Sequence, residues 1–221
     1  MYQRGDERKM MPLYAIGRAI LIPLMKLLFF YEVKGKNNIP KKGGYIVCSN
    51  HLSNFDPVFL GITQKRQIFY MAKKELFKNK FFGWLIRKLG AFPVDRGKGD
   101  GKAINNAETL IEEGKVLGIF IEGTRSKTGE FLRPKAGAAM IAEKVNVPVI
   151  PVCITPKNKK VRIFQKVTIS WGEPISCDQL GLGSGSGEGY RNATKKIMGQ
   201  IAALRERDMQ ARLKAPEVDE K

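Results

Sequence analysis

Residues 44–64, GYIVCSNHLSNFDPVFLGITQ, decide the fold of this chain. Gly44–Cys48 is a short apolar run with β-branched and aromatic residues, which predicts a buried strand. Pro57–Gln64 predicts a helix, because proline is favoured in a first helical turn and Asp56 before it fits an N-cap. A polar turn therefore joins a buried strand to a helix, and its side chains can project into a site.

The same alternation of strand and helix continues on the C-terminal side. Buried strands are predicted at Gln67–Met71, Val116–Ile121 and Val147–Val152, and helices at Lys80–Leu89, Gly101–Glu113 and Lys135–Val145. Strands that alternate with helices indicate an α/β fold, here a single domain with a largely parallel, mixed sheet flanked by helices. In such sheets, ligands bind beyond the carboxyl ends of the strands.

The C-terminal third predicts further strand pairing and a docked helix. Lys159–Trp171 has the pattern of strands, with antiparallel pairing as one option, and Leu182–Gly189 is a Gly/Ser-rich connection. Tyr190–Leu213 places apolar residues such as Ile197 and Ile201 at helical spacing. We expect this helix to pack on the core.

Residues 10–31 form the most apolar stretch, but their pattern does not favour a transmembrane span. Arg18 and Lys26 lie inside the stretch, and Pro12 and Pro23 interrupt it. A charge at the bilayer centre costs about 2.5–3.5 kcal/mol. We therefore predict one or two helices that lie in the membrane interface; a helix packed on the domain's own core is the alternative.

This interpretation divides the chain into a membrane-associating helical segment, residues 1–31, and a main domain, residues 32–221. Basic side chains of the first segment would meet lipid head groups; these are Arg4, Arg8, Lys9, Arg18 and Lys26.

Charge and composition restrict the partners. The formal net charge of +18 predicts a polyanionic partner, which means nucleic acid, an anionic membrane or a phosphorylated substrate. Lys and Arg are scattered along the chain without a nucleic-acid-binding motif, which disfavours the first. Cys48, Cys153 and Cys177 are widely spaced, and His51 is the only histidine, so we expect neither a disulfide framework nor a metal site.

His51 is the first candidate for chemistry. It follows the strand Gly44–Cys48 and precedes Asp56 by five residues. A carboxylate that fixes the tautomer of an imidazole and stabilises the imidazolium is the usual arrangement for a general base. The alternative is a structural histidine beside an aspartate that serves only as a cap.

The second candidate is Glu122-Gly123-Thr124-Arg125, which follows the strand Val116–Ile121. Gly123 permits close backbone approach, and the planar guanidinium of Arg125 suits bidentate binding of phosphate. The alternative is a surface turn in which Arg125 pairs with Glu122.

Taken together, these motifs resemble the 1-acylglycerol-3-phosphate acyltransferase family of glycerolipid acyltransferases. An H-x-x-x-x-D motif precedes an E-G-T-R motif by some 70 residues. Ala72–Leu76, Gly90–Arg96 and Val147–Val152 resemble further segments of the family in the same order. The likeness extends from about Tyr31 to Trp171, and Ile121 stands where the family usually has proline.

The resemblance implies direct acyl transfer. His51, oriented by Asp56, would deprotonate the free hydroxyl of lysophosphatidic acid, which would attack an acyl thioester on coenzyme A or acyl carrier protein and give phosphatidic acid. Backbone N–H groups near Gly123 would stabilise the oxyanion. The implied substrate-binding residues are Glu122, Gly123, Thr124, Arg125, Arg96 and Lys73, with Lys74 as a substitute for Lys73.

The resemblance also implies partners and location. No bound cofactor or metal is expected, and the thioester is a co-substrate. The partners would be an anionic membrane surface, the lysophospholipid and acyl carrier protein, but not nucleic acid. The protein would act at the cytoplasmic face of the membrane, as a peripheral or monotopic protein. Another lysophospholipid or an acylated amino acid is an alternative acceptor, and a non-enzymatic nucleic-acid binder is a remote alternative.

Overall fold

A computed structural model describes residues 10–95 and 100–214. Its strands are β1 (Phe30–Lys34), β2 (Tyr45–Ser49), β3 (Ile68–Lys73), β4 (Ala91–Val94), β5 (Val116–Phe120), β6 (Val149–Pro156) and β7 (Lys166–Trp171). Its helices are α1 (Pro12–Leu28), α2 (Asp56–Thr63), α3 (Lys80–Lys88), α4 (Gly101–Glu112), α5 (Gly137–Val145), α6 (Cys177–Leu180) and α7 (Gly187–Lys214), and Lys36–Asn38 and Lys74–Phe77 form 3₁₀ helices.

The strands form one seven-stranded mixed sheet in the order β1-β7-β6-β2-β5-β3-β4. Neighbouring strands are parallel except β6 and β7, so β1 and β7 run against the other strands. The predicted α/β class with a largely parallel sheet is confirmed. As a result, β2, β5, β3 and β4 all end at the same edge of the sheet.

Helices cover both faces of the sheet, because each side of β2 is apolar. Tyr45 and Val47 face a core that also contains Met25 of α1 and Phe59 of α2. Ile46 and its neighbours on the opposite face pack against α4, α5 and α7. Strands buried on both faces explain why the sequence shows continuous apolar runs rather than alternation.

Two strands were not predicted. β4 contains Pro93 and forms the edge of the sheet, where a residue without an N–H is tolerated. β1 overlaps the end of the apolar stretch of residues 10–31, so its start at Phe30 was hidden within that stretch. In the predicted region Lys159–Trp171, the strand begins only at Lys166 and is antiparallel to β6.

The N-terminal stretch forms a single helix, α1, with Pro12 in its first turn and Pro23 inside it. Tyr14 and Met25 are buried against the domain. Arg18 donates hydrogen bonds to the carbonyl oxygens of Gly61, Ile62 and Gln64 at 3.3, 3.2 and 2.9 Å. The prediction that Arg18 meets lipid head groups is therefore wrong, because its guanidinium serves the orphan carbonyls at the C-terminal end of α2.

The opposite face of α1 is apolar and open to solvent. Its exposed large side chains are Ile16, Ile20, Leu24 and Leu27, which we call the α1 stripe. Within residues 10–95 and 100–214, none of the helices combines the length and the apolar character that a membrane crossing requires.

Gly118 sets the approach of β5 to β3. A Cβ atom at this position would lie 2.7 Å from Cγ2 of Ile68 and would overlap the ring of Tyr70. That ring lies parallel to the ring of Phe120 at 6.0 Å, so the glycine makes room for an aromatic layer at the end of the sheet.

We expect Gly118→Ala to lower the free energy of unfolding by about 1–3 kcal/mol, the usual cost of overpacking a core. Gly101→Ala is the matched control, because nothing lies within 4 Å of its added Cβ at the start of α4. The control should be neutral or stabilising by up to about 1 kcal/mol. Urea titrations followed by circular dichroism measure both, and equal effects would contradict the role of Gly118.

Candidate active site

The two sequence motifs meet because β2 and β5 are neighbouring parallel strands. Ser49 at the end of β2 is in register with Phe120 at the end of β5. His51 and Glu122 each follow by two residues and so lie at the same edge. The N–H of Ser126 donates to the carbonyl of His51 at 2.8 Å and ties the two loops together.

Asp56 holds the imidazole of His51. Its Oδ2 atom lies 2.7 Å from Nδ1 of His51 and accepts the N–H groups of Leu52 and Ser53 at 2.6 and 2.7 Å. When Nδ1 donates to the carboxylate, Nε2 is left with a free lone pair, as a general base requires. Asp56 is completely buried, and 13% of the His51 side chain is exposed.

The predicted N-cap role of Asp56 is wrong. Asp56 is the first residue of α2, and Phe55 occupies the N-cap without a side-chain cap. The backbone groups that Asp56 binds precede the helix rather than lie inside it. The carboxylate therefore shapes the turn that carries His51.

A layer of aromatic rings packs against the face of the His51 imidazole. The ring of His51 stacks on Phe120 with a centroid distance of 3.9 Å and an interplanar angle of 13°. Phe120 in turn lies parallel to Tyr70, whose hydroxyl donates to the carbonyl of Pro57 at 3.1 Å. Sequence reasoning missed this layer, because its members look like ordinary strand residues.

The carboxylate of Glu122 binds the backbone of His51. Its Oε1 accepts the N–H of His51 at 3.0 Å and its Oε2 accepts the N–H of Leu132 at 2.8 Å. Burial raises the pKa of Glu122, and these two donors and the positive charge of Arg205 work against that rise. Both oxygens are occupied by backbone donors, so Glu122 fixes the position of His51.

Gly123 and Arg125 build the rest of the second loop. Gly123 has φ of +71°, and its N–H donates to the carbonyl of Phe120 at 2.9 Å. An oxyanion donor from this loop would therefore have to come from a later residue, and the neighbouring Thr124 is exposed. Nη1 of Arg125 donates to Oδ1 of Asn54 at 2.7 Å.

This bond contradicts the alternative in which Arg125 pairs with Glu122. It links the E-G-T-R loop to the loop that carries His51, since Asn54 follows His51 by three residues. Asn54 was missed from the sequence: an asparagine in a polar turn gives no signal of a long-range partner.

A cavity of about 690 Å³ opens at this edge of the sheet, a volume within the range of small-molecule sites. Its polar lining includes His51, Asn54, Lys73 and Arg125. Its apolar lining includes Leu21, Val58, Ile62, Met71, Ala72, Leu76, Phe82, Ile86, Leu89 and Ala91. This division suits a molecule that carries an anionic group and a long apolar chain.

Two further cations, Lys73 and Arg96, were predicted to bind the substrate, and the structure describes only the first. Lys73 ends β3 and lines the cavity, with Nζ 3.7 Å from Oε2 of Glu75. Lys74, considered as its substitute, pairs with Asp95 instead. Arg96 lies outside the described residues.

The C-terminal helix supports the E-G-T-R loop from behind. Nη1 of Arg205 on α7 donates to the carbonyl of Gly129 at 3.0 Å, and its guanidinium carbon lies 3.6 Å from the ring centroid of Phe131. Sequence reasoning missed Arg205, because the loop that it contacts is more than 70 residues away.

The cysteines are poorly suited to act as nucleophiles. Cys48 is completely buried, and burial raises its thiol pKa far above the ordinary value. Burial also raises the pKa of Cys153 to about 11. A thiol attacks as a thiolate, so these groups are inert at neutral pH.

Comparisons with known proteins show the family to which the chain belongs. The family model described as Acyltransferase matches residues 30–155, more than half of the chain. A 1-acyl-sn-glycerol-3-phosphate acyltransferase of Bacillus subtilis is 36% identical over 147 residues, which are 65% of this chain and 73% of that protein. One of Streptococcus pneumoniae is 34% identical over 170 residues, 75% of this chain and 62% of that protein.

A solved structure is similar over most of the chain. The crystal structure of the 1-acyl-sn-glycerophosphate (LPA) acyltransferase PlsC from Thermotoga maritima superposes with a TM-score of 0.67 and 27% identity, covering 89% of this chain and 78% of that one. The chain described here belongs to the acyltransferase family. The family predicted from the motifs is confirmed.

We expect His51→Ala to lower the rate of acyl transfer by about 10²–10⁴-fold, the usual contribution of a general base. No other histidine exists to replace it. The matched control is Lys127→Ala, an exposed residue on the E-G-T-R loop, which should retain wild-type turnover. Rates are compared at equal protein concentrations, and equal unfolding temperatures show that the variants are folded like the wild type. A folded His51→Ala variant with more than about a tenth of the wild-type rate would falsify the base assignment.

Proposed function

We propose that this protein transfers a fatty acyl group from an acyl thioester to the free hydroxyl of 1-acylglycerol-3-phosphate, which yields phosphatidic acid for phospholipid synthesis. The observation that carries the proposal is a cavity that His51, Arg125 and Lys73 line together with many apolar side chains. Lysophosphatidic acid likewise has a polar part and an apolar part, because its hydroxyl and phosphate are close together and its acyl chain is long. The names of the relatives support the same substrate.

In the proposed reaction, Nε2 of His51 removes the proton of the acceptor hydroxyl, and the oxygen attacks the thioester carbonyl carbon. The tetrahedral intermediate collapses with cleavage of the carbon–sulfur bond, and the imidazolium returns its proton to the departing thiolate. Asp56 stabilises the imidazolium through its bond to Nδ1. The chemistry requires no cofactor or metal ion, and the donor is a thioester of coenzyme A or acyl carrier protein.

The proposed phosphate site consists of Arg125 and Lys73, which both line the cavity. The bond to Asn54 orients the guanidinium of Arg125, and Lys73 contributes a second positive charge. Arg96, which lies outside the described residues, remains a predicted ligand. Glu122, Gly123 and Thr124 would contribute by shaping the loop that carries Arg125.

The decisive assay offers lysophosphatidic acid together with acyl-coenzyme A or acyl-loaded carrier protein and detects the lipid product by mass spectrometry. Lysophospholipids with larger head groups and an acylated amino acid serve as comparison acceptors. Phosphatidic acid should be the main product. Preference for a larger head group would contradict the proposed acceptor but not acyl transfer itself.

We further propose that the protein docks on the cytoplasmic face of the membrane as a peripheral protein, through the segment that includes α1. The α1 stripe presents apolar side chains outward, and the net charge of +18 complements an anionic leaflet. The helix also packs into the domain through Met25, so its removal would damage the core. Surface substitutions are therefore the appropriate test.

We expect Arg125→Lys to lower kcat/KM for lysophosphatidic acid by at least about tenfold. Lysine keeps the charge but loses the planar fork, and charge-assisted hydrogen bonds are worth about 1.5–3 kcal/mol each. Arg133→Lys, at an exposed position on the same loop, is the control and should be near wild type. Equal kcat/KM for the two variants would remove Arg125 from phosphate binding.

We expect the double variant Ile20→Glu/Leu24→Glu to bind anionic vesicles at least about tenfold more weakly, because each buried aliphatic side chain contributes about 1.5–3 kcal/mol. Leu213→Glu on α7 is the matched control, since this leucine is also exposed. Vesicle sedimentation measures both. Unchanged binding of the folded double variant would contradict docking through the α1 stripe.

A further inference from the structure

The helix α3 has an outward face that none of the catalytic roles uses. Its sequence is Lys80–Lys88, KFFGWLIRK, and Asn79 caps it by accepting the N–H of Phe82 at 2.9 Å. Gly83 is buried, and an added Cβ there would lie 2.9 Å from the carbonyl oxygen of Phe77. This close approach fixes which side of the short helix faces the domain.

Two aromatic side chains occupy the outward side of α3. Phe81 is 74% exposed and Trp84 is 51% exposed, and their ring centroids lie 6.3 Å apart. Single exposed apolar residues are common on protein surfaces, but a paired phenylalanine and tryptophan on one helical turn are an apolar patch. We call Phe81 and Trp84 the α3 patch.

Cations surround the α3 patch. Lys78 and Lys80 precede or begin the helix, and Arg87 and Lys88 end it. The sequence contains no acidic residue between Glu75 and Asp95. Aromatic side chains at the level of lipid head groups, flanked by Lys and Arg, are typical of segments that lie in a membrane interface.

The α3 patch adjoins residues of the same helix that line the active-site cavity. The adjacent side of α3 supplies Phe82 and Ile86 to the cavity lining, and α1 supplies Gly17 and Leu21. A Cβ atom at Gly17 would lie only 3.8 Å from Cδ2 of Leu89, so the α1 side and the α3 side of the cavity meet. The α1 stripe and the α3 patch therefore flank one cavity.

We propose that the α3 patch is a second contact with the anionic bilayer, which inserts Phe81 and Trp84 beside the cavity while Lys80, Arg87 and Lys88 bind head groups. The inference rests on the proposed docking of α1 at the membrane. Two helices on either side of the cavity hold its opening against the lipid. A lysophospholipid can then enter the cavity directly from the bilayer. Its acyl chain passes from the surrounding lipid to the apolar lining of the cavity without exposure to water.

Trp84 provides a direct reporter, because the chain has two tryptophans and the other, Trp171, is completely buried. The full chain is mixed with vesicles of phosphatidylglycerol and phosphatidylcholine that carry bromine on their acyl chains. We expect the emission of Trp84 to shift to the blue and to be quenched. Trp84→Phe keeps an aromatic ring and should leave a residual emission, from Trp171, that the vesicles do not quench.

Binding provides the second readout. Phe81→Ser/Trp84→Ser should bind the vesicles at least about tenfold more weakly, because two aromatic side chains would no longer be buried in the bilayer. Leu213→Ser, at an exposed position on α7, should bind like the wild type. The variant should retain its rate on a short-chain acceptor in solution, because neither residue lines the cavity within the described part of the chain.

The outcomes separate this inference from the proposed membrane docking. Sedimentation of the wild type with vesicles while Trp84 stays unshifted and unquenched would overturn the α3 contact and leave docking through α1 intact. Absence of any vesicle binding by the wild type would overturn docking and the α3 contact together. A shift of Trp84 emission on addition of acyl carrier protein, or on raising the protein concentration without lipid, in the absence of a vesicle response would assign the patch to a protein partner and overturn the inference.

Discussion

One buried carboxylate oxygen organises the edge of the sheet at which the candidate active site lies. Oδ2 of Asp56 receives the N–H groups of Leu52 and Ser53 and the Nδ1 proton of His51. A buried charge is costly unless hydrogen bonds satisfy it, so the turn between β2 and α2 must keep these donors around the carboxylate. The same bonds that make the burial of Asp56 tolerable therefore fix the orientation of the His51 imidazole.

The sheet topology then places a second set of groups around that imidazole. Because β5 lies beside β2 and runs in the same direction, Phe120 reaches the face of the His51 ring and Glu122 reaches its backbone N–H. Arg125 returns to the first loop through Asn54. The histidine is thus held through its ring nitrogen, its ring face and its backbone. Such redundancy limits the rotamers that the imidazole of His51 can adopt.

The sequence predicted most of the strands and helices that surround the motifs. The central strands are continuous apolar runs, and turn residues bound both kinds of element. The sequence also singled out His51, Asp56 and Arg125 as candidate site residues, since their types and spacing match a known chemistry. The structure places them on two loops that contact each other. The sequence did not predict β4, which contains Pro93 and lies at the edge of the sheet, where a proline is tolerated. Phe120, Asn54 and Arg205 act through partners that are distant in the sequence, and a single sequence contains no information on such pairs.

Arg18 shows why the character of α1 was difficult to predict. An arginine in an apolar segment suggests an interfacial helix or an interrupted span, but this one binds three carbonyl oxygens at the end of α2. Those carbonyls are the ones that a helix cannot satisfy by itself, so the charge that excludes a span also attaches α1 to the domain. Attachment on this face leaves Ile16, Ile20, Leu24 and Leu27 outward. One face of α1 therefore packs on the domain, while the opposite face is apolar and open. The two alternatives that the sequence offered for this segment, a helix packed on the core and a helix suited to the membrane interface, do not exclude each other.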